Sequence, residues 1–247
     1  VADEVTSAKH RITVGSQPTA ASEGGAVAAR GSLEYAVARL QQYCNILENR
    51  VVGRFDAAMG RRSMQDMQEC AKIMAEFNRE TVLINRYISQ MPMFIDTRLL
   101  AWGEDSDGDM ALQLAELFKE VLSTVKDEVV MLESVFPSGL LAVETLIQRV
   151  IEQRVGLALE LTLESTKKQT YDSEAARLQD YLKVLTQTYQ RTMELAASLE
   201  AQCGEEVKVC AQAQALYSEH LKDYPKLEMQ LLQQLYTQHR IEAQPLS

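Results

Sequence analysis

The segment LEYAVARLQQYCNILENRVVGRFDAAMGRRS, running from Leu33 to Ser63, decides the fold. Its apolar residues fall at Leu33, Val37, Leu40, Cys44, Leu47, Val51, Phe55 and Ala58. Steps of three and four put them on one stripe of a helix, because residues so spaced stack on one face. The next segment repeats the pattern at Met67, Cys70, Met74, Phe77, Thr81, Ile84 and Ile88. Between the stripes stands Gly60-Arg61-Arg62-Ser63, a glycine that can end one helix and a serine that can cap the next. Two helices joined by so short a turn fold back antiparallel. The expectation is a hairpin over residues 32–91, with arms of ~27 residues reaching ~40 Å. Phe77 is expected in the packing between them.

Working outward, residues 1–31 are mostly Ala, Gly, Ser and Thr with almost no large apolar group. Such a stretch buries too little surface to offset its ordering entropy, so a flexible lead-in is expected there. The first helix should open near Ser32, with Glu34 well placed against the positive helix end. Beyond the hairpin, Pro92 should end the second arm, and Met91 to Leu100 reads as an apolar crossing segment. Trp102 to Asp109 reads as an acidic loop.

A third helix is expected from Met110 to Phe136, ended by Pro137, with Ser138 capping a fourth. The fourth, through Leu161, is apolar around much of its girth and should be the most buried. A loop over 162–172 should precede a fifth helix starting at Ser173, which breaks at Cys203-Gly204. A sixth should run to Tyr224 and a seventh should start at Pro225, carrying Leu227, Leu231 and Leu235. No sustained period-two alternation appears, so no strand is expected. The fold class is therefore all-α. It is expected as an elongated stack of antiparallel helical bundles, with about seven helices: the hairpin, the acidic loop 102–109 and helices over 110–242.

Several runs resemble one family. They include Leu40-Gln41-Gln42-Tyr43-Cys44-Asn45-Ile46-Leu47-Glu48-Asn49-Arg50, then Arg54-Phe55-Asp56-Ala57-Ala58 and Arg61-Arg62. Met67-Gln68-Glu69-Cys70-Ala71-Lys72-Ile73-Met74, Glu76-Phe77-Asn78-Arg79 and Pro92-Met93-Phe94-Ile95-Asp96 follow in order. Further on come Gln148-Arg149-Val150-Ile151-Glu152-Gln153-Arg154-Val155, Tyr181-Leu182, Tyr224-Pro225 and Gln234-Leu235-Tyr236. Together these resemble the Sec-ten subunits of the exocyst, exocyst complex component 5, in their plant and algal form. The resemblance spans about residues 33–242. It implies a rod of stacked helical bundles in a vesicle-tethering complex, without enzymatic activity. The implied partners are other exocyst subunits and small GTPases, and the implied place is the cytoplasmic side of plasma membrane and secretory vesicles. It is weakest in the acidic loop, the loop after the fourth helix, and residues 205–215.

Composition narrows the rest. The formal net charge is −10, which argues against nucleic acid, since that needs a basic face. Arg61-Arg62 and Lys167-Lys168 are too small to anchor an anionic membrane, so membrane contact is expected only through partners. No window approaches eighteen apolar residues. With no initiator methionine and no signal-peptide pattern, the chain reads as an internal piece of a longer protein. The four cysteines, Cys44, Cys70, Cys203 and Cys210, form no CxxC pair and read as free thiols.

The one competing site is in the acidic loop. Asp105, Asp107 and Asp109, with Glu116 at the twelfth position, imitate a calcium-binding EF-hand loop. The alternative function is thus a calcium-responsive module over 105–116. The imitation fails at the sixth position, where Met110 replaces the glycine of the sharp turn, so Asp109 reads more simply as an N-cap. No metal or cofactor site is expected. Catalytic patterns such as GxGxxG, GxxxxGK[ST] and GxSxG do not occur. His10, His220 and His239 lack HExxH or ExxH spacing, and the latter two are expected on solvated helix faces or as partners of the helix dipole. Glu48, Arg50, Arg54 and Asp56 read as a charge-laced outer face, and Met67, Met74 and Met193 as core filling.

Overall fold

A computed structural model of the chain describes residues 20–96, 110–204 and 206–242, with side chains over 32–240. Every regular element among the described residues is helical. The chain divides into two compact units, Val1–Leu83 with Val135–Pro137, and Ile84–Ser134 with Ser138–Ser247.

In the first unit, α1 (Ala20–Arg61) turns back into α2 (Met64–Glu76), and the two pack on one another. Phe55 and Ala58 bury against the α2 stripe of Met67, Cys70, Ala71 and Met74, and Phe136 joins them. The hairpin is therefore present, with corrections. α1 is already helical at Ala20, where the sequence suggested a flexible lead-in to residue 31. Ala20, Ala21, Ala26, Ala28 and Ala29 are strong helix formers and offset Gly24 and Gly25. Residues 1–19 of that lead-in lie outside the described residues.

The turn is built differently from expectation. Gly60 stays inside α1, and Arg62 takes the left-handed conformation with φ of 54°. Its N–H donates to the Met59 carbonyl at 3.0 Å, and the Ser63 N–H to that of Ala58 at 2.9 Å. This is a Schellman closure with arginine where glycine is usual. Ser63 does cap α2, its Oγ accepting from the Asp66 N–H.

The second arm is broken, not continuous. Asn78 also has φ of 54°, its N–H bonds the Ala75 carbonyl, and the Arg79 N–H bonds that of Met74. Asparagine tolerates this conformation better than most residues, so a second Schellman closure ends α2 at Glu76. The chain re-enters helix at α3 (Glu80–Ser89). The break takes Phe77 off the stripe, and it is 46% exposed instead of central to the packing. Leu83, Ile84 and Ile88 are the buried residues beyond it.

In the second unit, α4 (Pro92–Ile95) starts with its proline in the first turn, where the missing N–H costs nothing. α5 (Met110–Val135) follows the expected stripe, burying Leu114, Leu117, Val121, Val125 and Leu132. After Pro137 the backbone closes tightly: a Cβ on Gly139 would meet the Glu133 Cα at 3.0 Å. Ser138 stands at the N-cap of α6 (Gly139–Arg149), but its side chain makes no capping bond.

From Gly139 the helix runs on to Lys168 as α6, a π-helical segment (Val150–Val155) and α7 (Gly156–Lys168). The expected loop over 162–172 is thus mostly helix. Thr162 and Thr166 are buried there because their hydroxyls donate to the Ala158 and Leu163 carbonyls, both at 2.7 Å. Turning a hydroxyl onto the helix's own backbone satisfies it without a loop. α8 (Glu174–Cys203) is capped by Ser173 and stops at Gly204, φ 91°, as expected. It packs on α7, α9 (Val209–Leu216) and α10 (Ser218–Glu242).

The break between the last two helices lies at Tyr217, not at Pro225, which sits inside α10. Tyr217 is fully buried among Leu159, Leu163 and Leu185. Its hydroxyl is 2.8 Å from the Thr192 Oγ1 and its ring meets Tyr189 edge-on at 5.1 Å. Pro225 and Leu221 are both exposed, so water can serve the carbonyl that the proline leaves without its helical donor.

Candidate functional site

Two places offer chemistry to another molecule. The first is the apolar stripe of α1, whose positions Leu33, Val37, Leu40, Cys44, Leu47 and Val51 alternate steps of four and three. That alternation is the seam spacing of a helix that packs along a second helix. α2 has 13 residues and covers only the end of α1 near Phe55 and Ala58. Leu40 and Leu47 are consequently 40% and 45% exposed, and Val37 and Cys44 are half-buried. Arg54 marks where coverage stops. Its Nη2 donates to Glu69 at 2.5 Å and lies 3.7 Å from Asp66, while Arg61 reaches Asp66 at 3.1 Å. Arg54, expected on a charge-laced outer face, is exposed there and also ties α1 to α2.

The second place is a cleft of about 620 Å³ in the second unit. Its apolar wall includes Phe94, Ile95, Leu157 and Leu216, and its rim carries Glu152 and Glu160. Arg154, from the π-helical segment, also lines it and is only 5% exposed. One turn of five-residue hydrogen bonding puts Val150, Ile151, Arg154 and Val155 all inward. Its Nη1 donates to the Asp96 backbone carbonyl at 3.2 Å, and its Nε has no hydrogen-bond partner. Beside it Arg149 lies over the Phe94 ring at 4.9 Å and donates to the Ser89 hydroxyl at 2.8 Å. Sequence reasoning noticed Glu152-Gln153-Arg154-Val155 only as part of a run that carries the family resemblance. Nothing local distinguishes the buried Arg154 from the exposed Arg50.

The other candidates are less productive. Asp105, Asp107 and Asp109 lie outside the described residues, and Glu116 is exposed on the second turn of α5. Among the described residues no three His, Cys, Asp or Glu side chains gather closely enough to hold a metal ion. His220 is not on a solvated face: its Nδ1 lies 3.2 Å from the Tyr181 hydroxyl and its Nε2 3.9 Å from Glu160. His239 is exposed in the last turns of α10, and His10 lies outside the described residues.

The cysteines are free. Burial raises the Cys70 thiol, and burial with the nearby Glu133 raises Cys203 to about 11. Cys210 is raised by its hydrogen bond to the Glu200 carboxylate. Thiols held above their ordinary range are protonated at neutral pH, the opposite of an activated nucleophile. No described helix is long and apolar enough to cross a membrane.

Helices throughout the described residues, with an apolar seam left open along α1, define an all-α helical bundle. Residues 17–241 match the family described as "Exocyst complex component Sec10-like, alpha-helical bundle", and the chain belongs to that family. It is 38% identical over 250 residues to exocyst complex component SEC10a of Arabidopsis thaliana, covering 95% of this chain and 30% of the relative. It is 37% identical over 235 residues to exocyst complex component 5 of Oryza sativa subsp. japonica, covering 90% of this chain and 29% of the relative. The chain therefore spans less than a third of the length of these relatives. No solved structure matches it.

Proposed function

We propose that this chain is a non-catalytic scaffold segment of the exocyst, working as part of the complex that tethers secretory vesicles to the plasma membrane. Its work is to present helix faces to other exocyst subunits in the cytoplasm, with membrane contact indirect and any small GTPase engaged by the assembly. The observation that carries this reading is the α1 seam. An apolar stripe with alternating spacing, Leu33 to Leu47, lies open where α2 ends. Burying such a stripe against a partner helix removes apolar surface from water at about 25 cal/mol per Å². Family membership supplies the kind of partner, because the relatives are named as components of a complex.

Co-purification of the chain with each other exocyst subunit singly tests the reading. Stable capture by at least one subunit is expected, and failure with all of them would remove the scaffold role from this segment. The calcium-responsive alternative draws no support from the geometry described above.

A further inference from the structure

We propose that the Arg154 cleft is a receptor for a carboxylate side chain, Asp or Glu, carried by an apolar peptide segment of a partner protein. The inference rests on the cleft alone and stands whether or not the α1 seam binds an exocyst subunit. A guanidinium cannot shed its proton inside a protein and carries five N–H donors. Arg154 is only 5% exposed, yet it makes no ion pair among the described residues. One backbone carbonyl, that of Asp96, takes one donor from Nη1. The buried Nε makes no hydrogen bond, and a guanidinium with donors to spare matches the two oxygens of a carboxylate. Buried charges are normally paired, because an unpaired one loses hydration without compensation.

Among the described residues no acid pairs with Arg154, and Asp96 meets it through the backbone carbonyl alone. Glu152 accepts from the Gln148 amide at 3.0 Å, and Glu160 faces His220. Both stand on the rim. Gly156 lines the cleft, and a Cβ there would come into ordinary contact with the Ile151 carbonyl oxygen at 3.4 Å and Leu216 at 3.5 Å. Ile95, 63% exposed, offers an apolar contact at the mouth.

This arrangement selects its ligand by charge. A single carboxylate on an aliphatic stem satisfies Arg154 while its stem lies against Phe94 and Leu157. A phosphate or an anionic lipid surface brings more negative charge past Glu152 and Glu160, and the chain as a whole carries −10. A basic residue next to the acid on the ligand suits the rim.

The test uses the whole chain, with the peptide acetyl-Leu-Glu-Leu-Lys-amide, its Glu→Gln counterpart, inorganic phosphate and phosphatidylserine vesicles as probes. The readout is the Nε–H cross-peak of Arg154 in a nitrogen-15 spectrum, assigned by its loss in Arg154→Lys. The Glu peptide should shift that peak saturably. The Gln peptide should bind at least tenfold more weakly, and phosphate and vesicles should leave the peak in place. Arg154→Met should abolish binding of the Glu peptide while the circular dichroism spectrum is retained. Should that variant fail to fold, Ile95→Glu, on an exposed position, serves instead and should weaken the Glu peptide at least fivefold. Equal response to the Glu and Gln peptides, no response to either, or a larger response to phosphate or vesicles would each overturn the proposal.

Discussion

Phe55 and Phe136 meet with ring centroids 6.0 Å apart and planes tilted by 44°. One ring comes from α1 and the other from the residue before Pro137, so the contact closes the first unit across a long span of sequence. Truncating a buried aromatic costs ~3–5 kcal/mol, and an aromatic pair adds ~0.5–1.5 kcal/mol beyond its area. Phe55→Ala should therefore destabilise by ~3–5 kcal/mol in urea unfolding, and a double-mutant cycle with Phe136→Ala should show coupling. Phe77→Ala, at a half-exposed position, should cost less than ~1.5 kcal/mol. The reverse order would put the core where the unbroken stripe had placed it.

The two Schellman closures predict gains. Arg62 and Asn78 hold left-handed backbone at φ of 54°. A non-glycine residue in that region costs on the order of 1–3 kcal/mol, less for asparagine. Arg62→Gly should raise stability by ~0.5–1 kcal/mol after the entropy glycine loses on folding, and Asn78→Gly by a smaller amount. A loss at both positions would mean that the side chains, and not the backbone, secure these turns.

Alkaline pH should weaken the second unit through two tyrosines. Tyr87 is partly buried and its hydroxyl donates to Glu128 at 2.7 Å, which pushes its pKa well above 10. Burial and the Asp180 carboxylate, 2.6 Å away, raise Tyr171 to about 12. The unfolded phenols ionise near 10 while the folded ones keep their protons. Stability present below pH 10 is therefore lost as pH rises from about 10 towards 12. Tyr87→Phe with Tyr171→Phe should flatten that decline in thermal melts; an unchanged slope would assign the decline to other groups.

The acidic loop remains a clear test. Titration calorimetry with calcium should give no saturable heat in the micromolar range, because Met110 occupies the position that the EF-hand turn reserves for glycine. Micromolar binding that disappears in Asp105→Ala would restore the calcium-responsive alternative.

Much of the fold was legible where a pattern and its punctuation agree. The α1 stripe, the α5 stripe ended near Pro137, and α8 between Ser173 and Gly204 are of that kind. The misses share a physical cause: the signal was not local or not obligatory. Glycine is the usual residue for a left-handed closure, yet Arg62 and Asn78 perform it, so the break that exposes Phe77 carries no glycine to announce it. Pro225 usually starts or stops a helix, but an exposed proline is tolerated when its orphaned carbonyl can reach water. Thr162 and Thr166 fell in an expected loop, and nothing in the sequence announces that their hydroxyls are satisfied by the helix's own carbonyls. Arg154 was least legible of all, since its burial depends on the Asp96 carbonyl and on a π-helical turn that no spacing rule marks.

The central claim is that the open seam of α1 is a face for another exocyst subunit, and one measurement addresses it most directly. Leu40→Asp with Leu47→Asp places charges on two half-exposed positions of that seam. The double variant is then compared with the unaltered chain in melting temperature and in capture by whichever subunit co-purifies. The account predicts a melting temperature within about 2 °C of the unaltered chain, as surface substitutions usually shift stability by less than ~0.5 kcal/mol, together with loss of capture. Capture undiminished by the two aspartates, or a collapse of the chain's own fold, would contradict it.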